Sequence, residues 1–431
     1  MTQRSPFAMT RRILRGTLPA LVLATSFARS VQAADDKDTT VWGQAATPTA
    51  AKIFARPDAS ARKAQKTTVG SGDAQYPLVV VRGTPYEMGF QLGQALKTEI
   101  QQFLPAAMEG ICHELHAELP DLVEVWGRTA AFADDRIEQE LAGLADGSGQ
   151  PLSLFQAAHA VPLVMPYSCS SVAVWGKATV DGHLYQTRNL DWSMEVGAHN
   201  FPVIVMYLPD HGIPHVVPTF AGIVGAHTGM NARGIALAEM GDAPAKEAPY
   251  QVHASHFTIF FRTMLYDADS LSSTLKIFGD QQLTKRYHFV FGDGQKEHRA
   301  VKVRAHAPEP AGQQVAIWTD NDPKDEFAPN VSTCLVYNDE GRGAFPTINK
   351  QFGQLDGEKM VALANQIPIK GGNVVNVVYD ATAFRCWVSY AKGKQEAYLR
   401  PYAYINLKDV DTNNDGVPDL EEHAKQPLAK K

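Results

Sequence analysis

The chain has 431 residues, 45% of them hydrophobic and 20% charged, with 40 Lys and Arg against 46 Asp and Glu for a formal net charge of −6. That is enough chain to bury a large core. Mild acidity, with no Lys/Arg block or basic stripe outside the N-terminus, argues against nucleic acid or any other polyanion as a partner.

Residues 1–33 read as a signal peptide. Arg11, Arg12 and Arg15 precede an apolar stretch around Leu18 to Ala28, and Val31-Gln32-Ala33 supplies small residues for cleavage. The pair Arg11-Arg12 hints at twin-arginine export, but the residues after it fit the ordinary pathway better. No later apolar run is long enough to cross a bilayer, so a periplasmic or secreted protein is expected. Residues 34–75, rich in Ala, Thr, Lys and Asp, read as a flexible lead-in. Helical patterns follow at about 85–118 and 130–160. Strands then come as hairpins at 170–191, 201–219 and 222–240, followed by helices at about 254–267 and 269–279. A second strand block holds 287–292, 299–305, 313–319, 333–338, 373–379, 384–391 and 397–407, with one helix near 356–366. Blocks of antiparallel strands separated by blocks of helices predict an α+β protein with two packed sheets and helices outside them.

The segment from Ser168 to Trp192, SCSSVAVWGKATVDGHLYQTRNLDW, carries the chemistry. Ser170 to Trp175 alternates as a strand does, Asp181-Gly182 marks a turn, and His183 to Asp191 reads as the returning strand. A reversal centred near residues 179 to 181 brings 188 to 191 back beside Cys169. Arg188 and Asp191 are three apart and would face opposite sides of a regular strand. Both can serve Cys169 only if a bulge or the strand's end falls between them. A guanidinium near a thiol favours the thiolate that attacks carbonyls, and a carboxylate can orient the base.

These residues resemble the N-terminal-nucleophile hydrolases that include penicillin acyltransferase, choloylglycine hydrolase, acid ceramidase and N-acylethanolamine acid amidase. The element Arg188-Asn189-Leu190-Asp191-Trp192 is the specific part. Upstream, GTPYEMGFQLGQAL and ELAGLADGSG look like the segments that precede the nucleophile in the penicillin acyltransferase branch, and Gly229-Met230-Asn231-Ala232-Arg233-Gly234 is similar to a turn of the superfamily. The resemblance covers most of residues 80 to 407. It implies a four-layer αββα sandwich with an N-terminal helical pro-segment: residues 76–168 would precede the nucleophile and 169–408 would form the catalytic core. It further implies self-cleavage between Ser168 and Cys169, freeing an α-amine whose pKa of about 7.7–8.0 suits it as the base. The Cys169 thiolate would attack an amide carbonyl to give a thioester, which water or an acceptor resolves. Asn231 is carried over as a site residue. For the oxyanion, Asn338 in CLVYNDE is the candidate donor and Asn321 in WTDND its rival. Ser168 and Ser170 stand where other members carry glycine or aspartate, and threonine.

The expected activity is therefore amide hydrolysis or acyl transfer on an N-acylated small molecule, with no catalytic cofactor. An ester-cleaving, phospholipase-like member of the fold and a catalytically silent binding protein are the alternatives. If Cys169 is the nucleophile, Cys112, Cys334 and Cys386 cannot all pair, although one disulfide between Cys334 and Cys386 is open. Cys112-His113-Glu114-Leu115-His116 lacks the zinc-protease spacing, and no G-x-S-x-G elbow or phosphate loop is present. Finally, DTNNDGVPDLEE within the acidic tail 409–431 places Asp411, Asn413, Asp415, Asp419 and Glu422 as expected ligands of a calcium loop, with Gly416 at its turn.

Overall fold

The computed structural model describes residues 62–165, 167–241, 252–309, 312–319, 333–338, 344–367 and 371–425. The expected signal peptide, most of the lead-in and Asn321 lie outside them. Two strands come first, β1 (Gln65–Val69) and β2 (Tyr76–Gly83). Five helices follow: α1 (Pro85–Ala95), α2 (Lys97–Leu115), α3 (Leu119–Ala130), α4 (Asp135–Ser148) and α5 (Leu152–Val164). The central run is β3 (Ser168–Gly176), β4 (Gly182–Asp191), β5 (Pro202–Pro209), β6 (His215–Phe220), β7 (Thr228–Asn231) and β8 (Ile235–Gly241), then α6 (Phe257–Asp267) and α7 (Leu271–Gly279). The chain continues through β9 (Tyr287–Asp293), β10 (Arg299–Glu309), β11 (Gly312–Trp318), β12 (Leu335–Asn338), α8 (Phe345–Gln351) and α9 (Gly357–Ala364). It closes with β13 (Asn373–Asp380), β14 (Arg385–Tyr390), β15 (Ala403–Asn406) and α10 (Asp419–Lys425).

The strands form two sheets. One has nine strands in the order β1-β2-β5-β6-β7-β8-β9-β10-β11, and the other six in the order β12-β3-β4-β13-β14-β15. All neighbours are antiparallel except β2 and β5. The sheets pack face to face, with β3 and β4 over β8 and β9, and β12 over β9 and β10. Alternation along β3 shows how the sequence enforces this. Ala173 and Trp175 point into the core between the sheets, while Val172 and Val174 enter a second core with Ile348 of α8 and Met360 and Leu363 of α9. On the outer face of the larger sheet, α6 lies against β7 and β8, and α7 against β9. The α+β class and its two sheets between helical layers are those expected from the sequence.

Four local readings needed correction. Residues 65–69, read as lead-in, are β1, and the segment 76–168 opens with strand β2 before its helices. Alternating burial and the fixed ladder to β2 explain β1, a pattern that its polar composition, QKTTV, conceals. Of residues 397–407 only 403–406 are strand, and α8 lies where no helix was expected.

The upstream motif segments make a helix pair in close backbone contact. Thr84 caps α1 with a capping box to Glu87, and Pro85 opens its first turn. Gly89 and Gly93 of α1 then meet α4, whose Gly143 and Gly147 face back. A Cβ at Gly89 would sit 2.0 Å from the Glu140 carbonyl oxygen, and one at Gly143 would sit 2.1 Å from that of Tyr86. Only hydrogen fits there. The i, i+4 spacing of glycines puts each pair on one helix face.

Gly143→Ala is expected to destabilise the protein by about 1–3 kcal/mol, because backbone must move to relieve the clash. Gly110→Ala, on an exposed face of α2 with nothing within 4 Å of the new methyl, is expected to stabilise by up to about 1 kcal/mol. Denaturant midpoints of the two variants measure the difference.

Candidate active site

The β3–β4 hairpin places the cysteine. Its register pairs Ser168 with Asp191, Cys169 with Leu190 and Ser170 with Asn189, continuing to Ala173 with Gln186. Cys169 shares the inter-sheet face of β3 with Ala173, and Arg188 shares that of β4 with Leu190 and with Gln186, whose Nε2 donates to the Val290 carbonyl across the sandwich at 3.1 Å. Asp191 belongs to the other parity. β4 ends at Asp191, and β13 carries a register shift opposite it, between Asn373 and Val375. Neither falls between Arg188 and Asp191 on β4 itself, which runs regularly through both: the strand ends only at Asp191, and the bulge is on the partner strand.

Asp191 is held in place by a residue that the sequence did not single out. Asn373, fully buried, donates from Nδ2 to Asp191 Oδ1 at 2.9 Å, to Asn376 Oδ1 at 2.7 Å and to the Leu190 carbonyl at 3.3 Å, while its own Oδ1 accepts from the Tyr398 N–H at 2.9 Å. Two more such residues lie across the sandwich and upstream. Glu239 of β8, fully buried, accepts the Tyr167 hydroxyl proton at 2.7 Å and lies 3.8 Å from Arg188 Nη2. Tyr167, two residues before the nucleophile, also carries the Lys285 ammonium 4.6 Å from its ring centroid. A lone acid on the otherwise apolar strand IALAEMG was the available signal for Glu239.

Arg188 is wholly buried, and none of Nε, Nη1 and Nη2 has a hydrogen-bond partner among the described residues. Its charge does lower the Cys169 pKa, as the sequence reading required. Burial outweighs it, however, and Glu239 and Asp191 add to the upward push, so the thiol of the uncut chain is held protonated. The correction is quantitative in origin: one guanidinium faces two carboxylates and a desolvated sulfur.

An apolar cavity of about 840 Å³, including its open mouth, adjoins this cluster. Phe103, Met108 and Ile111 of α2 and Val161 of α5 wall it on one side, with Leu190, Trp192, Phe220 and Phe257 on the other, and Tyr167 and Arg188 lie in its lining. Its lining is almost wholly carbon and suits an apolar group.

The remaining expectations divide. Asn338 pairs with Ser171 on the neighbouring strand, two residues beyond Cys169. Asn231 is not brought to the cysteine. It sits at the turn of the β7–β8 hairpin, the end away from Glu239, with Nδ2 donating to the Leu265 and Ala268 carbonyls and Oδ1 accepting the Arg233 and Ile235 N–H groups. Every polar group of that amide is engaged in fixing a turn to α6. Among the described residues no disulfide joins any of the four cysteines, Cys334 and Cys386 included.

The C-terminal loop also departs from expectation. Asp411 accepts backbone N–H groups of Asn414, Asp415 and Gly416, and Asn413 bridges Asp415 and Glu422. Asp419 is turned away and buried, accepting from Thr412 and from Arg82 of β2, which also reaches Glu422 Oε2 at 2.8 Å. Arg82 is the cation paired with Asp419 and Glu422. Among the described residues no group of three or more His, Cys, Asp or Glu is gathered as metal ligands would be. Among them also, no helix is long and apolar enough to cross a membrane.

No family model matches the chain. Among curated proteins it is similar to protein dcd1B of Dictyostelium discoideum, 26% identical over 295 residues that cover 63% of this chain and 57% of that protein. It is also similar to an uncharacterized protein of Archaeoglobus fulgidus, 23% identical over 264 residues, 54% of this chain and 43% of that one. The chain spans about half the length of the curated relatives it matches. Among solved structures it is similar to the Caenorhabditis elegans N-acylethanolamine-hydrolyzing acid amidase ortholog, with 14% identity and a TM-score of 0.39 over 55% of this chain and 100% of that one. Penicillin V acylase from Agrobacterium tumefaciens shows 11% identity and a TM-score of 0.38 over 58% of this chain and 89% of that one.

Cys169 in the uncut chain should alkylate slowly, with a rate that keeps climbing above the pH of about 8.5 where an ordinary thiol is half ionised. Glu239→Gln removes an upward push and is expected to speed labelling; Arg188→Met removes the downward pull and is expected to slow it. Iodoacetamide rates against pH, read on peptides that still span Ser168–Cys169, check both signs.

Proposed function

We propose that this protein is a self-cleaving cysteine amidohydrolase or acyltransferase of the N-terminal-nucleophile type that releases the acyl group of an N-acylated small molecule. The observation that carries the reading is the position of Cys169, opening β3 beside a buried, unbonded guanidinium and next to an apolar cavity. A protonated, desolvated thiol is a poor nucleophile by itself. Cleavage of the Ser168–Cys169 bond supplies what it lacks, an α-amine within one residue of the sulfur that can take the thiol proton and return it to the leaving amine. Asp191, pinned by Asn373, is placed to orient that amine. Arg188 is the group to face the developing charge of the carbonyl, and Asn338 is the proposed oxyanion donor from the adjacent strand.

The carbon walls of the cavity favour an acyl chain over a polar head group. Each methylene buried there contributes about 0.8 kcal/mol, so the specificity constant is expected to rise about fourfold per added carbon until the cavity is filled. Hydrolysis rates over a homologous series of N-acyl glycines measure that slope, and a flat series would exclude the cavity as the acyl site. Export follows from residues 1–33, which are proposed to be removed on secretion.

The first step is tested on the purified protein. The wild type should resolve on a denaturing gel into two fragments, one with Cys169 at its N-terminus by sequencing, while Cys169→Ala stays whole. An intact wild-type chain that cleaves no amide would leave the fold as a binding protein.

A further inference from the structure

Two polar groups in the lining of the apolar cavity have nitrogens that no described residue hydrogen-bonds. Arg188 is one. The other is His227, 9% exposed, whose ring stacks on Phe220 at 5.9 Å between centroids and whose Nε2 is buried without a hydrogen bond. His159, in the same lining, provides the contrast. Its Nδ1 donates to the Phe155 carbonyl at 2.7 Å and its Nε2 accepts the Val224 and Gly225 N–H groups at 3.0 and 3.2 Å, so that ring is fully used in tying a turn to α5. A buried nitrogen left unpaired is destabilising and uncommon. In a ligand cavity the missing partner is an atom of the ligand.

The site's charges fix what that atom is. Burial first, then the charge of Arg188, keep the His227 imidazole neutral at neutral pH. A neutral ring offers Nε2 as a single donor or acceptor and suits a neutral oxygen, whether hydroxyl, keto or ether. An ammonium would be repelled by the guanidinium that lines the same cavity. His227 lines the same cavity as Arg188 and Leu190, and Leu190 is the residue paired with Cys169 across the β3–β4 ladder, so the imidazole faces the space a substrate of Cys169 would enter.

We infer that His227 is a specificity-determining residue, its Nε2 hydrogen-bonding an oxygen substituent carried by the acyl chain near the scissile carbonyl. Amides of oxygenated apolar acyl groups are then preferred over those of plain hydrocarbon chains. The inference rests on the amide-hydrolase reading for its placement of the carbonyl, and on the cavity alone for its ligand.

The test uses the full chain as Cys169→Ala, which retains the cavity of the uncut protein, with His227 or with His227→Phe, a ring that can still stack on Phe220. Calorimetry compares N-dodecanoylglycine with N-(3-hydroxydodecanoyl)glycine and N-(3-oxododecanoyl)glycine. With His227 the oxygenated ligands should bind roughly tenfold tighter, the worth of one good hydrogen bond in a dry site. His227→Phe should bring all three within about twofold by weakening the oxygenated pair alone, and His227→Gln, which restores an amide donor and acceptor, should recover part of the preference. Equal affinities with His227, a preference that survives His227→Phe, or no binding of any of the three would overturn the inference. Turnover by the wild type separates the two readings. Equal kcat/KM for plain and oxygenated amides keeps the hydrolase and sinks the role of His227. A His227-dependent binding preference without turnover keeps that role and sinks the hydrolase.

Discussion

The antiparallel register of β3 and β4 is the constraint on which the site depends. Cys169 stands opposite Leu190 because the ladder runs unbroken in phase from Ser168 with Asp191 to Val174 with Tyr185. A slip of β3 by one residue would turn Cys169 out of the inter-sheet space, away from Arg188, and carry Val172 and Val174 into it. Both cores resist that slip, since the alternating side chains of β3 fill two different volumes, one against the larger sheet and one beneath α8 and α9. The positioning of the nucleophile is therefore enforced by the packing of ordinary apolar residues several positions away.

Electrostatics sets a second constraint, of opposite sign. Arg188, Glu239 and Asp191 surround a thiol that has lost much of its water, and the two acids together with desolvation outweigh the base. Tyr167 adds a hydroxyl bonded to Glu239 and a ring under the Lys285 ammonium. Such a cluster keeps the sulfur quiet in the intact chain, and the group that would change the balance is created only by opening the bond next to it.

Much of this was legible in the sequence because the decisive contacts are local. The hairpin reversal near residue 180, the strand end at Asp191 and the two sheets followed from alternation and turn residues. What was not legible came from contacts between distant segments. Asn373 lies 182 positions from Asp191 and reads as one polar residue at the start of an apolar strand, while Glu239 is a lone acid on an apolar strand whose partners, Tyr167 and Arg188, lie on other segments. Asn231 failed in the opposite sense: a motif of the right composition proved to be a turn, its amide used up by backbone. For the Asp411–Glu422 loop, ligand spacing says nothing of a guanidinium that pairs with two of its acids, here Arg82 from β2.

The parallel pairing of β2 with β5 has a consequence for the matured protein. A cut after Ser168 would leave β1 and β2 on one polypeptide and β5 on another, so that a single hydrogen-bonded sheet would be shared by two molecules. Arg82 and Gln65 would face Asp419, Glu422 and Thr412 across the same divide. Folding, unimolecular in the precursor, would then become an association, and the stability of the finished protein would depend on its concentration by mass action. Once denatured and diluted, the two pieces would have to find each other again, and a chain that folded unaided the first time would have lost the covalent link that let it do so.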